Sequence, residues 1–466
     1  MVIGRLADAV TRGVGDVAHS VTDVFDPTLR LGVTGLSRAG KTVFITSLVA
    51  NLMDRGRMPG FSAAGRIETA FLQPQPDDTV PRFEYERHLH ALTAREPHWP
   101  DGTRAVSELR LSLKVRPSGL LSGMRGTRVV HLDIVDYPGE WLLDLGLMER
   151  DFADWSVRAL SRLKSWGVQG YANALASVDP DAKLDEPTAQ RLAAAYTADL
   201  HAARAAGAYD LTPGRFLLPG ELEGSPALTF APLPPGDGPR GSLRREMVRR
   251  FEAYKSQVVR PFFRDHFARL DRQIVLLDVL DALRRGPRAV EEMRAAMADI
   301  LTAFKPGALN WLLALLGARR VDRVLFAATK ADHLHHTQHA RLTAILEAMV
   351  REARSRADFA GAQTKAMSLA ALRATVEETR AHGGRDLPVV RGRLLGDGRE
   401  AALYPGELPE DPAHILGPAR AGEAQWLDGE YDLMSFAPAP LTLRSGEGPP
   451  HIRLDRAAEF LLADKL

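Results

Sequence analysis

Gly35-Leu36-Ser37-Arg38-Ala39-Gly40-Lys41-Thr42 is the stretch that decides how this chain is read. It fits the pattern G-x-x-x-x-G-K-[ST] at every fixed position and sits between two apolar runs, Leu29 to Thr34 and Val43 to Leu52. A strand that turns through glycines into a helix is the setting in which this pattern cradles phosphate. Gly35 and Gly40 are expected to allow backbone torsions that a Cβ forbids, so that consecutive N–H groups point inward at the positive end of the helix. The phosphate-binding set expected here is Gly35, Ser37, Arg38, Ala39, Gly40, Lys41, Thr42 and Val43. Lys41 is placed to bridge two phosphates and the Thr42 hydroxyl to ligate Mg²⁺. The bland alternative is an ordinary glycine turn, which rarely carries a Lys-Thr pair at the helix start.

Working outward, Thr127 to Asp136 is nearly continuous in apolar residues, the signature of a strand buried on both faces, and it ends in an acid. The following Asp136-Tyr137-Pro138-Gly139 offers Asp136 as a ligand to a Mg²⁺-bound water and the Gly139 N–H as a sensor of a γ-phosphate. Val324 to Ala328 is another short apolar strand, followed by Thr329-Lys330-Ala331-Asp332. The Asp332 carboxylate can accept hydrogen bonds from guanine N1–H and N2–H₂, whereas adenine offers it neither donor, so a buried Asp332 selects guanine. Lys330 can lay its aliphatic stem along the base. The competing reading of Thr329 to Asp332 is a helix N-cap. One strand later, Ala366-Met367-Ser368-Leu369-Ala370 is placed to present a backbone N–H to guanine O6, through Ser368 and Leu369. A threonine contacting Mg²⁺ is expected before the strand Ser107 to Val115; Thr103 is the candidate, with Thr79 and Thr93 as competitors.

These motifs imply an α/β fold, a P-loop NTPase domain with a mostly parallel sheet, a mainly helical insertion and a C-terminal α+β extension. The reading divides the chain into an N-terminal helix over 1–25, a first half of the nucleotide-binding domain over 26–136, an insertion over 137–272, a second half over 273–375 and an extension over 376–466. Helical periodicity marks Leu142 to Trp166, Thr188 to Ala206 and Leu243 to Leu270 within the insertion, and Gln273 to Leu280 reads as a buried strand. Because the insertion enters directly after Gly139, it could convert nucleotide state into movement; a rigid covering lobe is the alternative.

With 466 residues and 45% hydrophobic content the chain can bury a large core. No apolar run approaches the ~20 residues that cross a bilayer; Trp311 to Leu316 comes nearest. The absence of cysteine excludes disulfides and thiol chemistry, and a net charge of +1 gives no global pull toward nucleic acid. Arg244, Arg245, Arg249 and Arg250 read as a solvated helix face, with a partner or lipid contact as the alternative. His333, His335, His336 and His339 read as solvated residues on a surface helix rather than as a metal site.

The chain resembles the YcjX-like family of bacterial P-loop proteins in several stretches. They are Val33 to Thr42, Asp136 to Leu142, Gly224-Ser225-Pro226-Ala227-Leu228-Thr229-Phe230, Asp271-Arg272-Gln273 and Pro450 to Arg456. The resemblance implies a cytoplasmic protein that binds GTP and GDP, linked to stress response and encoded near a membrane-protein partner. For hydrolysis, Lys41, Arg38, Gly139 and Glu140 are the candidate catalytic residues. Glu140 stands where many small GTPases carry a water-orienting glutamine, so slow turnover is expected; the carboxylate can bind a Mg²⁺-bound water or an arginine instead. Arg38 lies inside the phosphate loop, where it could supply positive charge in cis. The alternatives are a GTP-binding scaffold without useful hydrolysis, and an ATPase in which Asp332 belongs to a fortuitous cap.

Overall fold

The computed structural model describes residues 26–36, 38–102, 105–117, 126–266, 269–300, 321–426, 431 and 433–466. The N-terminal helix expected over 1–25, Ser37, Thr103 and the apolar stretch Trp311 to Leu316 lie outside these. Seven strands form one sheet: β1 (Thr28–Gly35), β2 (Ile67–Gln73), β3 (Ser107–Val115), β4 (Arg128–Asp136), β5 (Arg272–Leu277), β6 (Arg323–Ala328) and β7 (Gln363–Ser368), in the spatial order β2-β3-β4-β1-β5-β6-β7. β3 pairs antiparallel with both neighbours, while β4, β1, β5, β6 and β7 are mutually parallel. The fold is therefore α/β of the P-loop NTPase kind. β5 is buried at all of its positions, as a central strand covered on both faces must be.

Strand order reverses at β1: the chain leaves it toward the β2 edge and returns, after β4, on its other side as β5. Open α/β sheets collect ligands at the carboxyl ends of the strands beside such a reversal. Asp136 ends β4 at that edge, and Asp278, Thr329 and the 369–372 loop follow β5, β6 and β7 there.

One face of the sheet is covered by α1 (Lys41–Met53) and by the last helix, Leu454–Leu462, in a common apolar core. Arg272, at 1% exposure, ties that last helix down by donating to Leu461 O, Asp322 and Asp464. The other face shares one continuous core with the helices between β4 and β5, including Trp155, Tyr196, Phe230 and Phe251. A further sheet of three antiparallel strands, β8 (Val376–His382), β9 (Arg385–Arg393) and β10 (Glu400–Leu403), carries a small core with Phe436 and Trp99.

Some expected elements break where the residues dictate. The helix read over Leu142 to Trp166 is instead Gly139–Leu143, a 3₁₀ segment Asp144–Glu149 and Phe152–Ser165, because Asp151 caps a new start by accepting from Asp154 N–H. The helix read over Leu243 to Leu270 gives way after Tyr254 to a π turn, Lys255–Val259, just before Pro261, whose ring nitrogen has no hydrogen for the ladder. The strand read over Gln273 to Leu280 ends at Leu277, since Asp278 caps the helix Val279–Arg285 by accepting from Asp281 N–H at 3.1 Å.

Candidate functional site

The phosphate loop closes on itself through Ala39 N–H to Leu36 O and leads into α1 through Phe44 N–H to Gly40 O. Gly40 has φ +83°, the left-handed torsion that a Cβ disfavours. Gly35 does not have a positive φ; its glycine is needed for packing, because a Cβ there would lie 2.6 Å from Leu276 O. The second left-handed position of the loop is Arg38, with φ +63°, and its side chain is exposed. Lys41 is 8% exposed and donates to Gly35 O at 3.1 Å, an inward-facing ammonium at the mouth of the cradle.

Gly139 packs against the same carbonyl. A Cβ on it would stand 1.9 Å from Gly35 O, so the sensor turn and the phosphate loop touch backbone to backbone and no larger residue fits. Asp136, 2% exposed, ends β4, and Thr42, 7% exposed, opens α1. A hydroxyl and a carboxylate are hard oxygen donors, the kind that suits Mg²⁺. The Thr42 hydroxyl donates to Asp101 O across 3.4 Å, long enough for a metal to replace it. That contact brings the loop before β3 to the site: Trp99, Pro100 and Gly102, close neighbours of Thr103, line the cavity. The hydroxyls of Thr79 and Thr93 are engaged locally, with Asp77 and Leu89 O.

Glu140 is buried and accepts from the Arg204 guanidinium at 2.6 Å. Arg204 lies in the last turn of the inserted helix Glu186–Ala206. Sequence reasoning missed it, because an arginine at the end of an amphipathic helix reads as ordinary solubilising charge until the fold places it.

At the other end, Asp332 is 3% exposed; one carboxylate oxygen accepts from Ala374 N–H at 2.8 Å and its backbone carbonyl from the Thr375 hydroxyl. Lys330 has φ +58° and donates to Asp278 at 2.5 Å. The buried Thr329 is fixed by its N–H and hydroxyl, both to Leu277 O. Ser368 and Leu369 differ from expectation: their N–H groups are taken by the Thr343 hydroxyl and Ala328 O, and neither lines the cavity. Ala370, Ala371 and Leu372 do. Ser368 is still the last residue of β7, so the turn that reaches the cavity begins after it.

One cavity of about 570 Å³ is lined among others by Arg38, Gly40, Lys41, Thr42, Arg204 and Asp332, whereas Asp136, Gly139 and Glu140 are not on its wall. Its volume falls within the range, about 300–1,000 Å³, of sites that enclose a ligand of nucleotide size.

The histidines are not solvated as a set. His333, His335 and His339 are buried, with burial holding each below the usual imidazole pKa, and His339 Nε2 bonds Ala331 O and Leu334 O. Ligand atoms of His335, His336 and Glu377 lie within 4.8 Å of one another. Glu377 there is answered by His336 at 2.6 Å and Arg373 at 3.7 Å. The arginine cluster is a solvated face only in part: Arg245 and Arg249 are exposed, whereas Arg244 and Arg250 are buried and pair with Asp181 and with Glu186 and Glu246.

The family model described as YcjX-like matches residues 29–466 of this chain. A protein of Escherichia coli (strain K12) called Ras-like GTPase YcjX is 38% identical over 461 residues, covering 95% of this chain and 96% of that one. A protein of Shewanella oneidensis with the same name is 36% identical over 472 residues, covering 95% of each.

Proposed function

We propose that this chain, which belongs to the YcjX-like family, is a nucleotide-dependent switch that binds GTP and GDP with Mg²⁺ and hydrolyses GTP slowly. The observation that carries the reading is that Lys41 and Asp332 line one cavity of suitable volume. The name of both relatives, Ras-like GTPase, supports guanine over adenine.

The triphosphate lies along the phosphate loop, where Lys41 leaves Gly35 O for the β- and γ-phosphates. Thr42 and Asp136 would hold Mg²⁺, which would supply charge neutralisation to the phosphates. Asp332 receives the guanine edge, pre-aimed by Ala374 N–H, and Lys330, held by Asp278, covers the base face. Ala371 and Leu372, in the turn that lines the cavity, are the candidates to present a backbone N–H to guanine O6. Because Gly139 touches Gly35 O, a γ-phosphate arriving at the loop displaces the sensor turn, and the helix Gly139–Leu143 carries that displacement to the inserted helices.

Phosphate release from GTP in magnesium buffer, followed over hours with Lys41→Ala in parallel, tests the reading. Slow release abolished by Lys41→Ala is expected. GTP uptake without release in either protein would leave a scaffold, and release from ATP at the rate of GTP would make the protein an ATPase.

A further inference from the structure

Among the described residues four arginines line the cavity: Arg284 and Arg285 are both held by Asp281 on the helix Val279–Arg285, and the two that belong to the phosphate loop and to the contact with the sensor turn are Arg38 and Arg204. They differ in how they are held. Arg38 is exposed on a left-handed turn of the loop itself. Arg204 arrives from the inserted helix Glu186–Ala206 and is gripped by Glu140 at 2.6 Å, the residue next to the sensor Gly139. Lys41 Nζ, Gly35 O, Gly139, Glu140 and Arg204 thus form one line of contacts from the cradle to the lobe. The lobe is fixed against that line. Gly214 packs so closely on Glu140 O that a Cβ would stand 2.0 Å from it, and Asp144 accepts from Gly214 N–H at 2.7 Å and Tyr254 OH at 2.5 Å.

We propose that Arg204 is a catalytic arginine supplied in cis by the inserted lobe, held by Glu140 until a γ-phosphate displaces it toward the transferring group. The inference rests on the guanine-nucleotide reading above. In hydrolysis a water oxygen bonds to the γ-phosphorus, the bond to the bridging oxygen breaks, GDP leaves with the electron pair and the water protons pass to phosphate and solvent. Arg204 changes no bond in this step; its guanidinium meets the charge spread over the departing and equatorial oxygens. This assigns Glu140 a holding role in place of water activation. An arginine in cis without a water-orienting glutamine still leaves turnover slow, so the two readings agree.

The test compares the full-length wild type, Arg204→Ala and Arg204→Lys in magnesium buffer by GDP affinity, by added affinity for GDP with aluminium fluoride, which mimics the transferring phosphoryl group, and by single-turnover GTP hydrolysis. The expected result is GDP affinity within about threefold of wild type, loss of the extra affinity given by aluminium fluoride, and hydrolysis slowed by roughly 10³-fold. Arg204→Lys keeps the charge and the pairing with Glu140 but lacks the planar fork, and is expected to bind GDP normally while remaining slow. Wild-type hydrolysis and an intact aluminium fluoride complex in both variants would overturn the inference while leaving the guanine-nucleotide reading in place. Failure of both variants to take up GDP would overturn it too, by making Arg204 a structural support. Failure of the wild type itself to take up GDP would strike the underlying reading instead.

Discussion

A side chain at position 139 has no space to occupy: its Cβ would meet Gly35 O at 1.9 Å, and both partners are backbone. Gly139→Ala is therefore expected to push the sensor turn off the phosphate loop, costing about 1–3 kcal/mol of stability. It should also shrink the difference between GTP and GDP affinity, measured by urea unfolding and by nucleotide titration. Asp332→Asn replaces one acceptor oxygen with a donor. Guanine then faces an N–H₂ with its own, while xanthine, which carries a carbonyl at that position, gains a partner. GDP affinity should fall about 100-fold, roughly 3 kcal/mol, and xanthosine diphosphate should bind more tightly than GDP. That Lys41, Thr42 and Asp332 would meet at one cavity was legible in the sequence, because the chemistry read for them demands fixed spacing from glycines and strand ends. Arg204 was not, because its partner Glu140 lies far from it along the chain, and Asp278, which grips Lys330, read as part of a strand.

Among the elements, the short helix Gly139–Leu143 and the 3₁₀ segment after it carry a buried acid, Asp144, whose pKa burial pushes up from 3.8 to about 6 against the opposing hydrogen bonds of Tyr254 and Gly214. The folded protein therefore holds this proton more tightly than the unfolded chain does. Its contribution is favourable below the unfolded pKa, is lost as pH rises from about 4 to about 6, and is constant above; the full difference is about 3 kcal/mol. Asp144→Asn cannot titrate. Urea unfolding at pH 4.5 and pH 7 should show wild type losing stability relative to this variant on going to neutral pH, and an unchanged difference would remove Asp144 from the pH response. The strands were the most readable elements, since runs such as Val129 to Val135 are mostly apolar, broken only by His131 and Asp133. Helix breaks at Asp151 and before Pro261 were less so: their apolar spacing runs through the break, and only the cap and the missing N–H interrupt the ladder.

For the whole molecule, the inserted helices share one core with a face of the sheet, so the lobe is fastened to the nucleotide domain rather than tethered to it. A displacement of Gly139 would reach the lobe through the contacts of Glu140 and Asp144 with Gly214. Amide hydrogen exchange across 139–149 and 204–217 should slow on adding a non-hydrolysable GTP analogue and less on adding GDP. Equal protection by both would make the lobe a rigid cover. The chain order of the motifs disclosed the sheet and its ligand edge. It did not disclose that the loop at Trp99 is clipped to Phe436 O of the C-terminal part, a contact no local pattern encodes, nor that the last helix closes the far face through Arg272.

The central claim, that the Lys41 ammonium and the Asp332 carboxylate hold opposite ends of one guanine nucleotide, is tested most directly by calorimetric titration with GDP in magnesium buffer. Wild type, Lys41→Ala and Asp332→Asn are compared, with ATP as competitor. The account expects saturable heat from wild type that ATP does not suppress and that both substitutions abolish or weaken at least tenfold, about 1.4 kcal/mol. No heat from wild type, or full affinity retained by both variants, would contradict it.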